Sequence, residues 1–352
     1  MFQRYASMLN TSLFRWSYDT WTALAERHRW LQWAAKWGVS AASLTLGILT
    51  LIIFRRGADY FPWILGYLIL LWVGGVVFAH IRQALDLRNR RLVRVALDFT
   101  IQNLHQDLLL FLLPIYYAAT TLSSPNVLFL LLLAGAALLT TIDPWYQATI
   151  LRYPWAGHAL FAFGLFASLN IGLPLIRLRS AWALVLSAVL SLLALTPAIR
   201  RGFGLSWRDA TLAAGLVACV GATLLWSVRD WIPPGPLHLS VATFARSVER
   251  FEPVEPIQRV SAAQLQTWGE LVCYTAVSAP AGLREPLYHL WRKDGVQVAR
   301  VALSPILGGR PGGYRTYSKR SDLGADLVGR WTVDVLTFQG QLIGRVRLVV
   351  TS

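Results

Sequence analysis

The sequence predicts two domains of opposite class: a polytopic α-helical membrane domain of about seven spans, followed by a small all-β, immunoglobulin-like antiparallel sandwich. Three observations carry this expectation. The chain is 55% hydrophobic and only 14% charged, against about 25% charged in an ordinary soluble protein. Apolar runs of bilayer-crossing length recur as far as Val228 and then stop. Beyond Ile232-Pro233-Pro234-Gly235-Pro236, a run that cannot continue a helix, the hydrophobic period changes to two.

At the N-terminus, Phe2, Tyr5, Leu9, Leu13 and Trp16 recur at helical spacing with arginines on other faces. Residues 1–30 therefore read as an amphipathic interfacial helix, lying on the membrane surface or on the protein's own loops. Arg4, Arg15, Asp19 and Glu26 interrupt the stretch, which excludes a secretory signal. The transmembrane domain occupies residues 31–230. Its spans fall near 37–54, 61–79, 108–122, 127–142, 156–173, 181–199 and 210–228, each close to the ~20 residues that cross ~30 Å of hydrocarbon. The net charge of +15 rests on arginine, since Lys36, Lys293 and Lys319 are the only lysines. These cations flank the apolar runs, as residues that orient a chain in a bilayer do, so no nucleic-acid partner is expected. Arg82, Arg88, Arg90, Arg91 and Arg94 in one loop and Arg200, Arg201 and Arg208 in another outweigh the opposite loops. The N-terminus is thereby expected in the cytoplasm and the C-terminal domain outside. Two cysteines, Cys219 and Cys273, make no disulfide framework; both are expected as buried small apolar residues.

Residues 231–236 form a proline-rich hinge and residues 237–352 the β domain. Trp331, Val333 and Val335 alternate with polar neighbours, as do Leu342, Gly344, Val346, Leu348 and Val350, with a turn at Phe338-Gln339-Gly340-Gln341 between them. Residues 287–292 and 296–303 flank Lys293-Asp294-Gly295, a second hairpin. Residues 270–279 add a further apolar strand, broken by Pro280-Ala281-Gly282.

Some of these strings resemble known families. Tyr288-His289-Leu290-Trp291, the stretch from Gly308 to Lys319, Gly329-Arg330-Trp331-Thr332-Val333 and Gly340-Gln341-Leu342-Ile343-Gly344 are similar to the DUF2914 domain. Leu113-Pro114-Ile115-Tyr116-Tyr117, Thr141-Ile142-Asp143 and Ile232 to Leu237 resemble the DUF5924 membrane family that carries that domain. The resemblance implies a Gram-negative inner-membrane protein with a periplasmic C-terminal domain. It carries over no catalytic or ligand residues.

Four groups of residues bear chemistry. Asp98, Gln102, His105 and Gln106 share one helix face with Leu109, Leu113 and Tyr116. Asp107 sits just off that face. Polar groups there serve either an interfacial helix end or an intramembrane site for a polar substrate or proton. Asp143, His158 and Asn170 lie near span ends, where packing and capping compete with chemistry. Arg310, Tyr314, Arg315, Tyr317 and Lys319 follow or punctuate a glycine-rich loop and suit an acidic polymer or lipid headgroup, or else simple packing on the sheet edge. His289 and Trp291 alternate on one strand face and read as core. No metal-ligand, nucleophile-elbow or phosphate-loop spacing appears, so no cofactor or metal is expected. The reading is a non-enzymatic inner-membrane protein whose external sandwich binds a protein partner or envelope component. The alternative is a membrane-embedded transporter or lipid-modifying enzyme built on the Asp98–Gln106 face.

Overall fold

The computed structural model describes residues 91–324 and 326–352. The interfacial helix expected over residues 1–30 and the first two expected spans lie outside them. The described residues fall into two compact units, one of residues 91–111 and 135–157, the other of residues 112–134 and 158–352.

The helical part runs α1 (Arg91–Ala118), α2 (Val127–Thr141), α3 (Asp143–Thr149), α4 (Pro154–Leu175), α5 (Ser180–Leu193), α6 (Thr196–Phe203) and α7 (Trp207–Ser227). Among the described residues, Pro154–Leu175, Ser180–Phe203 and Trp207–Ser227 are long and apolar enough to cross a membrane. The α2–α3 pair adds a fourth if its two arms, bent by 100°, count as one span. These match the last four apolar runs of the sequence. α1 begins well ahead of the run at 108–122, because residues 91–106 contain neither Gly nor Pro to stop a helix. The α2–α3 break falls at Ile142, whose backbone is extended (φ −92°, ψ 98°). Pro144 follows in the first turn of α3, where its missing N–H costs nothing.

α7 buries only Ala210, Ala214 and Ala218, a small residue at every turn, and packs with α5, which buries Ala181, Ala183, Ser187 and Ala188. Small residues bring helix backbones close where no hydrophobic force separates lipid from side chain. The rest of α7, including Leu212, Leu216 and Leu224, is exposed. Cys219 is exposed too, contrary to expectation, because it lies off the alanine row.

The β part contains β1 (His238–Glu249), β2 (Glu252–Ile257), β3 (Arg259–Ser261), helix α8 (Ala262–Trp268), β4 (Leu271–Ser278), β5 (Arg284–Glu285), β6 (Leu287–Lys293), β7 (Val296–Ala302), β8 (Ile306–Leu307), β9 (Tyr314–Arg320), β10 (Gly329–Thr337) and β11 (Leu342–Thr351). One sheet has the order β2-β1-β4-β9, a second β3-β11-β10-β6-β7, and β5 pairs with β8. All pairings are antiparallel except β3 on β11. The β6–β7 turn at Asp294-Gly295 takes positive φ at both residues (47° and 85°), the backbone that a two-residue hairpin requires.

Phe244, Leu271 and Cys273 from the first sheet meet Trp291, Trp331, Val333, Val346 and Leu348 from the second in one core. The Phe244 and Trp291 rings pack edge to face, 5.7 Å apart. A second cluster, including Leu237, Val277, Leu283, Ile306 and Ile343, fills the end of the domain where the chain enters from α7. α8 opens with a capping box, in which Ser261 and Gln264 satisfy each other's backbone N–H.

Candidate functional site

In α1, Gln102 and Gln106 stand one turn apart and are buried, in line with buried Leu109. The Gln102 amide donates to the Thr140 carbonyl (3.0 Å) and to Asp143 Oδ1 (2.7 Å). Those two acceptors sit on either side of the α2–α3 break. Gln102 thus satisfies a carbonyl that the end of α2 leaves without a helical partner, and holds the carboxylate in the first turn of α3, where the helix dipole favours it. His105 is half-buried and its Nδ1 donates to the Ile101 carbonyl (2.8 Å). Asp98 is half-buried and Asp107 exposed. His158 is exposed in the first turns of α4. Among the described residues, no group of three His, Cys, Asp or Glu side chains could hold a metal ion.

Within the larger unit, three helix-end loops grip the β domain. The first is the α1–α2 loop. There Asn126 accepts from Ser124 Oγ (2.5 Å) and Thr121 N (3.2 Å) and donates to the Leu342 carbonyl (3.4 Å). The Ser123 carbonyl accepts from Arg345 Nη1 (3.3 Å). In the α4–α5 connection, Glu285 Oε2 accepts from Ser180 N (3.0 Å) and Oγ (3.3 Å) at the start of α5. Burial pushes the Glu285 carboxyl above the ordinary range, and the Ser180 bonds pull it partly back. The third is the exit from α7. Asn170 Nδ2 donates to the Pro233 carbonyl (3.3 Å) and to the Tyr116 hydroxyl (3.1 Å), which itself donates to the Ala167 carbonyl (2.9 Å). Gln341 donates to the Ile232 carbonyl (3.3 Å), and Arg229 Nε to the Gln339 carbonyl (2.6 Å). Residues 232–237 are all buried, so the proline-rich hinge is a packed joint. Of the second group of candidates, Asp143 and Asn170 therefore have separate structural partners, while His158 faces outward.

Arg345 also clamps Asp334 across β10 and β11 with two hydrogen bonds, and Arg292 approaches the same carboxylate at 3.6 Å. Asp334 is buried. Asp334→Ala should destabilise the β domain by about 3 kcal/mol, since removing one partner of a buried pair strands the other charges. Faster labelling of buried Cys273 in a Cys219→Ser background would measure it.

The loop and strand candidates divide between two faces. On β9, Arg315, Tyr317 and Lys319 are exposed and alternate with buried Thr316 and Ser318. Tyr314 turns inward onto the second core cluster, and Arg310 lies over its ring at 4.6 Å. Arg315 pairs with Glu252 (3.1 Å) and Lys319 with Glu270 (3.2 Å), while Tyr317 meets the Phe251 ring edge-on. The tip of the β1–β2 hairpin therefore folds over the outer face of β9, a contact that the sequence reading missed.

Between the sheets, His289 Nε2 lies 3.0 Å from Thr275 Oγ1 and Nδ1 lies 2.8 Å from Ser318 Oγ, which also accepts from Trp291 Nε1 (2.9 Å). His289 and Trp291 are fully buried, as their strand alternation predicted. Burial pushes the imidazole down to about 3.

The profile described as "Family of unknown function (DUF5924)" matches residues 13–272, more than half of the chain. The chain belongs to that family. Residues 284–350 match "Protein of unknown function (DUF2914)", in the order that the sequence resemblance anticipated. The DUF5924 match extends beyond the helices to β1, β2, β3 and the start of β4, whereas β9 lies in the DUF2914 match. The sheet β2-β1-β4-β9 therefore joins strands from both families, and the DUF2914 stretch alone lacks three of its four strands. Comparison with the curated proteins finds no match.

Proposed function

We propose that this DUF5924 protein is a seven-span, non-enzymatic inner-membrane protein that holds an immunoglobulin-like sandwich on the periplasmic face as a docking platform for a protein partner or envelope component. The joint carries the reading. The α1–α2 loop, the α4–α5 connection and the α7 exit all bond to the β domain, and the sequence assigns all three to the outer side. A tethered but free domain would need none of these bonds. Strands β1, β4 and β9 in one sheet and β11, β10, β6 and β7 in the other, around buried Trp291, support the immunoglobulin-like description.

The binding surface is the outer face of β9 and the loop before it. Arg315 and Lys319 hold only exposed ion pairs, worth about 0–1 kcal/mol each, so an anionic partner displaces Glu252 and Glu270 at little cost. Replacing Arg310, Arg315 and Lys319 together with alanine should abolish in-cell crosslinking capture of the partner while leaving Cys273 protected. Capture that survives the triple change rejects this surface.

The bent α2–α3 pair favours one alternative, a transporter or lipid-modifying enzyme. Broken helices form substrate and ion sites in many transporters, and Gln102 and Asp143 sit at this break. If that reading holds, Asp143→Asn removes activity without releasing the β domain's partner.

A further inference from the structure

Beside the joint, α2, α4, α5 and α7 leave a cavity of about 290 Å³. Its wall includes Phe129, Ala162, Phe163, Phe166, Leu192 and Leu225. The Ser191 hydroxyl, which also lines it, donates to the Ala188 carbonyl (3.0 Å), so the wall is almost wholly hydrocarbon. An apolar cavity of about half this volume stays dry and accepts small hydrocarbons. Leu132 and Trp231, also in the lining, are 64% and 45% exposed and mark its open side. Val228 and Trp231 of the lining flank Arg229, which opens the Arg229–Trp231 turn. The Arg229 side chain donates to the Trp226 and Gln339 carbonyls and lies over the Trp226 ring; among the described residues no carboxylate pairs with it.

We propose that this cavity holds one acyl chain of an anionic phospholipid, with the headgroup phosphate against Arg229. The two ends of the site fit the two ends of such a lipid. The dry wall suits hydrocarbon, and a cation beside two tryptophans is the composition of a membrane interface. A guanidinium whose present acceptors are neutral carbonyls has charge left for a phosphate. The inference goes beyond the docking reading but rests on α4, α5 and α7 spanning a bilayer.

The test uses the full chain in nanodiscs of phosphatidylethanolamine and phosphatidylglycerol carrying a diazirine near the end of one acyl chain. Adducts should concentrate on Phe163, Phe166 and Leu192. Ser191→Phe and Leu225→Trp, which fill the cavity by different routes, should each reduce them at least about fivefold with Cys273 still protected. Arg229→Gln should lower the preference for phosphatidylglycerol over phosphatidylethanolamine by about tenfold. Adducts spread along exposed Leu212, Leu216 and Leu224 instead, or unchanged by both filling variants, would mean annular lipid only and overturn the site. Adducts within residues 1–90 would mean that the chain covers the cavity itself, which also overturns it. Release of the protein from membranes by alkaline carbonate would instead overturn the spanning reading beneath it, so the two failures are distinguishable.

Discussion

Between pH 7 and pH 5 the β domain should lose about 2 kcal/mol of stability through His289 alone. The folded imidazole is held down to about 3 by burial, against an ordinary 6.5, so at intermediate pH the unfolded chain binds a proton that the folded chain refuses. Stability is complete above the unfolded value and is lost as pH falls from there toward the folded value. The geometry agrees with a neutral ring: both nitrogens face hydroxyl oxygens, Thr275 Oγ1 and Ser318 Oγ, and hydroxyls can donate or accept as one tautomer requires. Among the described residues, a positive charge in that space has no carboxylate to meet it. Over these two pH units the opening equilibrium should rise roughly 25-fold. With Cys219→Ser, the labelling rate of Cys273, normalised to a free thiol at each pH, measures that opening on the full chain. His289→Leu should be less stable at pH 7, because it strands Thr275 and takes one of the two partners of Ser318, and should lose this pH slope. An equally steep slope in His289→Leu would assign the acid sensitivity to carboxylates elsewhere.

Much of this architecture is legible in the sequence because it obeys periodic rules. Trp331, Val333 and Val335, and then Val346, Leu348 and Val350, alternate as strands with one buried face; Val335 packs into the second core cluster and the others into the first. The apolar runs of α4, α5 and α7 are equally plain. The rest obeys no period. β2 carries Pro253 and Pro256, which argue against a strand, yet it is an edge strand, where a missing N–H is tolerated. The pairing of Arg315 with Glu252 depends on a hairpin folding over a sheet, and no spacing within either strand foretells that. Asn170 stands out as a polar residue in an apolar helix, but its partners, Tyr116 and Pro233, are 54 and 63 residues away. Gln102 lies on the polar face that its spacing defines, but its partner Asp143 stands 41 residues away. Sequence spacing identifies faces; it does not identify what each face meets across the fold.

Gly235→Val should undock the β domain from the helices. Gly235 adopts φ +49°, and a Cβ there would lie 2.5 Å from the Asn170 carbonyl oxygen and 3.4 Å from Ile171 Cα. Left-handed backbone alone costs a side-chain-bearing residue about 1–2 kcal/mol. The clash adds more, because both partners are backbone and neither can rotate away. Relief requires the 232–237 joint to lift, and lifting it breaks the Asn170–Pro233 and Gln341–Ile232 bonds. Spin labels at exposed Val220 on α7 and Val298 on β7, with Cys219→Ser and Cys273 left unlabelled by its burial, should give one narrow distance in the parent. The Gly235→Val protein should give a broad distribution, with Gly235→Ala between them. An unchanged narrow distance would mean that the other two loops hold the domain without the α7 exit. The same variant separates two uses of a rigid joint. If partner capture persists once the domain swings free, the β9 face suffices and the joint only keeps it off the membrane. If capture fails while Cys273 stays protected, the partner reads helices and β domain together, and the joint is part of the binding surface.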